Sequence, residues 1–246
     1  MKEQNLKNRI HLHIERIYST SLNETEILEF SDNIYNLIVS KKTLHSSPLL
    51  SDQWSEKTAV LITYANSITT TNNISPLSSL EKFVSSKCQK FIDTVHILPF
   101  FPSSSDDGFA VKDYYNVDDE FGDWKDIINI SKSFRVMADV VINHGSSEGV
   151  WFKNFIKGEG RGHDYFLSFD NTFDITEVVR PRTSPLLNTF DTHDGTRYLW
   201  CTFSKDQVDY NFNNPKVINE FVEIILYYLK MGITIFRFDA VAFLWK

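Results

Sequence analysis

The chain opens on apolar residues spaced three and four apart. Ile10, Ile14 and Ile17 come first, then Ile27, Phe30, Ile34 and Leu37, and this period predicts helices over residues 1 to about 45. Asn23 followed by Glu26 has the spacing of a capping box at the second helix start. The pattern then shortens. Runs rich in β-branched and aromatic residues at 58–64, 94–101, 134–142 and 232–240 read as strands. Helical stretches separate them: Ser75-Pro76 opens one, carrying Leu77, Leu80, Phe83 and Val84 on one face. Asp123 can cap the next, which packs Trp124, Ile127 and Ile128. Asn214-Pro215 opens the last, with Val217, Ile218, Phe221, Val222, Ile225, Leu226 and Leu229 at a 3.6-residue period, and Gly232 closes it.

Alternating strands and helices predict an α/β fold on a parallel sheet with right-handed crossovers. The strands begin at 58, 94, 134 and 232, so spacings of 36 and 40 residues give way to one of 98. About sixty residues, 145–206, are therefore read as a small subdomain inserted after the third strand. They are polar and aromatic, show few helix-period signals, and are expected over the C-terminal edge of the sheet. The organisation expected is a helical extension at 1–55, the first three strands at 56–144, the insertion at 145–206, and a helix with the fourth strand at 207–246.

Composition narrows the function classes. A hydrophobic share of 42% supports a sizeable core, and a net charge of −7 with no Lys/Arg run argues against nucleic-acid or anionic-membrane surfaces. Two cysteines, Cys88 and Cys201, suggest neither a disulfide framework nor a Cys-rich zinc site. The polar N-terminus lacks the apolar run of a signal peptide, and no stretch nears a membrane span, so a cytoplasmic protein is expected. His11 and His13 read as surface or packing residues.

Candidate chemistry gathers at the strand ends. Arg237 and Asp239 share one face of the fourth strand, because alternate residues do. From this segment alone they are either a buried structural ion pair or a nucleophilic carboxylate held ionised by its arginine. Asp106 and Asp107 follow the second strand, and Asn143 and His144 end the third. Asp139 sits deeper, with Arg237 its expected partner. Each also reads blandly: a turn-former, a loop cap, a satisfied core histidine, half of a buried pair. Their agreement on three successive strands favours a shared site, at the edge where α/β barrels keep theirs.

The strings DVVINH (139–144) and FRFDAVAF (236–243) resemble the first and second signature regions of the α-amylase superfamily. HILPFFPSSSDDGF (96–109), LITYAN (61–66), RPR (180–182) and FSKDQVDYNFNNP (203–215), leading into DAVAFLWK (239–246), resemble its sucrose phosphorylase-like subfamily. The ending FLWK is more similar to relatives acting on glucosylglycerate, glucosylglycerol or sucrose phosphate than to the sucrose enzymes. The resemblance implies a (β/α)8 barrel, present here as its first four strands. It implies that Asp239 is the nucleophile of a retaining double displacement and Arg237 the residue that orients it. His144 and Asp106 would bind glucosyl hydroxyls, Phe109 would line that subsite, and Asp139 would support Arg237. Inorganic phosphate would then release α-glucose 1-phosphate. Arg180 and Arg182, held by Pro181, are either acceptor-side phosphate contacts or surface charges beside a turn.

Departures qualify what the resemblance implies. The family often has Asp where this chain has Asn66. Asn143 matches a calcium ligand of true α-amylases, but the subfamily generally lacks that ion, so no metal and no cofactor are expected. Asp191-Thr192-His193-Asp194 mimics a later signature but precedes Asp239, so it is given no role. The general acid/base Glu would come from a fifth strand, and the chain stops at Lys246 after four. Alone it is expected to be inactive, and to self-associate through two open sheet edges or be degraded unless a C-terminal half completes it. A homodimer or a complementing C-terminal half is the expected protein partner; the small-molecule partners are an α-glucoside and phosphate. The alternatives are an α-glucosidase-type hydrolase or an inactive fragment that only binds sugar.

Overall fold

A computed structural model describes residues 2–41, 56, 58–69 and 74–246. The predicted helical residues 42–45 and the expected boundary near residue 55 lie outside these. Helices α1 (Lys2–Tyr18) and α2 (Glu24–Ser40) form an antiparallel pair, and the Asn23/Glu26 capping box is made in both directions. Ile14, Tyr18, Ile27, Phe30 and Ile34 form a small core of their own between them. Tyr18 anchors the pair, its hydroxyl donating to the Phe212 carbonyl at 2.7 Å.

The central sheet is parallel in the order β1-β2-β3-β9: β1 (Val60–Thr63), β2 (Thr94–Ile97), β3 (Arg135–Val141) and β9 (Ile233–Asp239). Register sets Asp139 directly beside Arg237 and Val141 beside Asp239. Helices α3 (Pro76–Phe83), α4 (Trp124–Ser131) and α6 (Pro215–Lys230) cross over between strands, their caps Ser75, Asp123 and Asn214 each accepting a backbone N–H. Val95, Ile97, Val136, Ala138 and Val140 are wholly buried in the core between sheet and helices.

Several expectations are revised. The apolar run at 94–101 pairs only as far as Ile97. Pro99 has no N–H to give a ladder, so the chain leaves the sheet there. Phe100 and Phe101 are apolar because they turn into the core, where Phe101 stacks on Tyr228 at 5.1 Å. Phe83 and Ile128 lie on the exposed side of their helices. α6 has two apolar faces: Val217, Phe221, Ile224 and Tyr228 enter the main core, while Ile218 and Val222 meet the α1–α2 pair. β9 is not buried on both sides, since Phe238 is 42% exposed at this edge of the sheet.

Residues 144–209 run over the C-terminal ends of the strands. β4 (His144–Ser146) pairs antiparallel with β8 (Gln207–Asp209), bringing the two ends of the excursion together beside the end of β3. Between them a three-stranded antiparallel sheet, β5 (Ser168–Phe169), β7 (Gly195–Trp200) and β6 (Leu187–Thr192), packs on a helix the pattern did not announce. That helix is α5 (Val150–Lys157), whose Phe152 meets Phe166 and Phe190 at 5.2 and 5.0 Å. Among the described residues no helix is long and apolar enough to cross a membrane.

Candidate active site

Strand alternation puts Arg237 and Asp239 on one face at the end of β9, 3.0 Å apart from Nη2 to Oδ1. The other side of the guanidinium pairs with Asp139, which is completely buried on β3. Asp139 also meets His96 Nε2 of β2 at 2.8 Å. A buried carboxylate therefore fixes the arginine, and the arginine faces a second, partly exposed carboxylate. The hydrogen bond that Arg237 donates to Asp139 raises the Arg237 pKa against the opposing effect of burial, so the guanidinium stays cationic. Its plane lies near the Phe109 ring, 5.9 Å from Cζ to centroid. The next residue, Ala240, has φ 52°, a left-handed conformation unusual for a residue with a Cβ. It turns the chain off the strand directly after Asp239.

His144 and Asp106 are brought together by a residue the sequence pattern did not single out. Gln207, at the start of β8, donates to Asp106 Oδ2 at 2.8 Å, with its Nε2 3.2 Å from His144 Nε2. The hydrogen bonds fix the imidazole tautomer. Its Nε2 lies 3.0 Å from the Phe109 carbonyl, which can only accept, so Nε2 carries the proton. Its Nδ1 receives Asn143 Nδ2 at 3.2 Å. Burial pushes the His144 pKa down, only partly offset by Asp209, the Phe109 carbonyl and Asp239, so the ring is neutral. The ring's single N–H is the one donated to the Phe109 carbonyl.

Behind these groups lies a saturated knot. Asn143 donates to Asp209 Oδ2 at 2.9 Å and accepts from Lys246 Nζ at 3.0 Å. Asp209 further accepts from the Thr202 amide and hydroxyl at 2.9 and 2.6 Å, and pairs with Lys246 at 2.6 Å. The ammonium and the carboxylate thus fix which end of the Asn143 amide is which, and so which nitrogen of His144 is bare. Burial lowers the Lys246 pKa while Asp209 raises it. Among the described residues no group of three or more His, Cys, Asp or Glu could hold a metal ion. Lys246 Nζ sits between Asn143 Oδ1 and Asp209 Oδ2, at 3.0 and 2.6 Å.

The remaining predicted residues separate. Arg180 lines a cavity of about 540 Å³ with Phe173, Trp200, Phe243, Trp245 and Lys246, and its buried Nε and Nη2 have no hydrogen-bond partner. Arg182 is exposed. Asp191 and Thr192 end β6 and His193-Asp194 form the turn to β7, where Asp194 pairs with Arg197. Neither Gln207, Asp209 nor Lys246 follows from periodicity. A faint signal was the polar–apolar alternation of Gln207-Val208-Asp209-Tyr210, a short strand.

The family description "Alpha amylase, catalytic domain" matches residues 90–246. The glucosylglycerate phosphorylase of Allomeiothermus silvanus is 44% identical over 193 residues, covering 78% of this chain and 35% of that protein. The glucosylglycerate phosphorylase of Escherichia coli is 37% identical over 245 residues, 98% of this chain and 42% of its own length. The crystal structure of sucrose 6F-phosphate phosphorylase from Thermoanaerobacter thermosaccharolyticum superposes with TM-score 0.70 at 29% identity, over 82% of this chain and 43% of that one. The chain therefore spans well under half the length of the relatives it matches, in keeping with part of a barrel.

Proposed function

This chain belongs to the α-amylase catalytic-domain family, and from that premise we propose that it carries the glucosyl-donor half of a retaining phosphorylase site. Asp239 is the nucleophile: a carboxylate oxygen bonds to the anomeric carbon as the bond to the departing aglycone oxygen breaks, inverting that carbon. Phosphate then attacks the glucosyl ester from the opposite face, releasing Asp239 and α-glucose 1-phosphate. Arg237 orients the nucleophile and stabilises its charge, with Asp139 bracing the arginine. The His144 imidazole and the Asp106 carboxylate bind glucosyl hydroxyls, Gln207 spans the two, and Phe109 walls the subsite. Asn143 supports His144. Arg182 and Arg180 serve the phosphate side. The proton required by the leaving oxygen comes from a general acid/base carboxyl that is not among the groups gathered here. The donor is a small α-glucoside, with glucosylglycerate foremost because relatives named for it align over 98% and 78% of this chain.

The observation that carries this reading is the Asp139–Arg237–Asp239 relay, ending in a partly accessible carboxylate whose charge reaches His144. The test is to incubate the protein as it occurs with glucosylglycerate and phosphate. Glucose 1-phosphate should appear, and only when phosphate is present. Free glucose formed equally without phosphate would overturn phosphorolysis in favour of hydrolysis; no turnover of any α-glucoside would overturn the assignment.

A further inference from the structure

The turn that carries Asp106 is held in an unfavourable shape. Asp106 and Asp107 both have left-handed backbones, with φ 57° and 48°, and Gly108 follows at φ 100°. At Gly108 a Cβ would lie 2.6 Å from the Pro99 carbonyl oxygen, so only glycine fits there. Two consecutive left-handed residues with side chains persist only where the surroundings over-determine them. Two internal backbone bonds, Phe109 N–H to the Asp106 carbonyl and Ala110 N–H to the Ser105 carbonyl, close the turn but tie it only to itself.

Besides Gln207 on Asp106 and His144 on the Phe109 carbonyl, the turn's approach is tied from outside by Asp206. Its Oδ2 accepts the hydroxyls of Ser104 and Ser105, and its Oδ1 accepts the amide and hydroxyl of Ser147 at 3.2 and 2.7 Å. Ser146 reaches the same Oδ1 at 3.2 Å and Ser104 Oγ at 2.6 Å. One carboxylate thereby gathers the loop after β2, the end of β4 and the residue before β8. None of these serines makes sense as a surface feature, since their hydroxyls converge on a single charge. Burial works against the ionised Asp206, yet the four serine hydroxyls outweigh it and keep its pKa below the ordinary carboxylate value. Its neighbour Gln207 is the residue that grips Asp106 Oδ2.

We propose that Asp206 is a positioning residue: it holds the 104–108 turn so that Asp106 meets the donor sugar, while Gln207 sets the carboxylate itself. The inference rests on the function proposed above. It also separates two roles of adjacent residues, Asp206 shaping backbone and Gln207 aiming a side chain.

The test compares wild type, Asp206→Ala and Asp206→Asn in the protein as it occurs. It reads kcat, KM for the α-glucoside, and hydrogen exchange at the amides of Ser104, Phe109 and Ala110. Asp206→Ala should raise KM and speed exchange at those amides by about tenfold each, with kcat falling less than about threefold, because roughly one charge-assisted hydrogen bond's worth of positioning is lost. Asp206→Asn, which keeps one acceptor oxygen, should fall between. Exchange in β2 and β3 should not change, a readout that general destabilisation would move. Should Asp206→Ala not fold, Ser105→Ala removes one donor and carries the same readouts. Wild-type KM and wild-type exchange in a folded variant would overturn the proposal. A wild-type protein inert toward α-glucosides would overturn the function, while the exchange measurement would still decide the role of Asp206.

Discussion

Asp239 at the end of β9 and Asp209 in β8 are both carboxylates paired with a basic residue, and the pairs behave as opposites. Asp209 is wholly buried and Lys246 only 6% exposed, whereas Asp239 is 18% exposed and Arg237 43%. Asp209 is filled by four donors: the Thr202 amide, the Thr202 hydroxyl, Asn143 and Lys246. Asp239 has Arg237 as its partner among the described residues and oxygen lone pairs to spare. A saturated buried pair has no capacity left to react and serves architecture. An accessible carboxylate, steadied from one side, retains the capacity for chemistry. Removing a member of the first pair should therefore cost stability, and of the second, activity.

The sharpest break of this comparison is Asp239→Asn in the protein as it occurs. Glucosyl transfer should fall by about 10⁴-fold or more while the unfolding midpoint stays near wild type, because an isosteric amide keeps the packing but cannot form the ester. A variant retaining about a hundredth of the wild-type rate would remove Asp239 from its role. The converse substitution, Lys246→Met, fills similar volume but strands Asp209 without its counter-charge. It should cost about 3–5 kcal/mol in urea unfolding, as for other broken buried pairs. A loss under about 1 kcal/mol would show that the knot is not the support described.

The smallest effect joins the two regions through His144. Burial lowers its pKa, so the folded protein holds it neutral while the unfolded chain protonates near about 6.5. Its contribution to stability is complete above that value and is lost as pH falls through it toward the lowered folded pKa. Urea midpoints at pH 7.5 and 5.5 should differ more in wild type than in His144→Gln. Equal shifts in the two proteins would mean that the imidazole is not kept neutral by the fold.

What the residues alone determined is everything with a local cause. The capping box at Asn23, the Ser75, Asp123 and Asn214 caps and the presence of four strands follow from short-range spacing. So does the shared face of Arg237 and Asp239, because a strand repeats every two residues. The Asp139–Arg237 pairing was within reach too, both being unusual charges inside apolar strands. The run at 94–101 shows the limit: apolarity signalled burial correctly, but Pro99 ended the strand and Phe100 and Phe101 were buried as loop. Only the tertiary structure could join Gln207 to Asp106, Asp206 to Ser104 and Lys246 to Asn143, contacts spanning 101, 102 and 103 residues. Such polar partners leave no period in the chain. Their pairing is enforced by desolvation, which acts once folding has brought them out of water and makes each unmatched donor or charge costly.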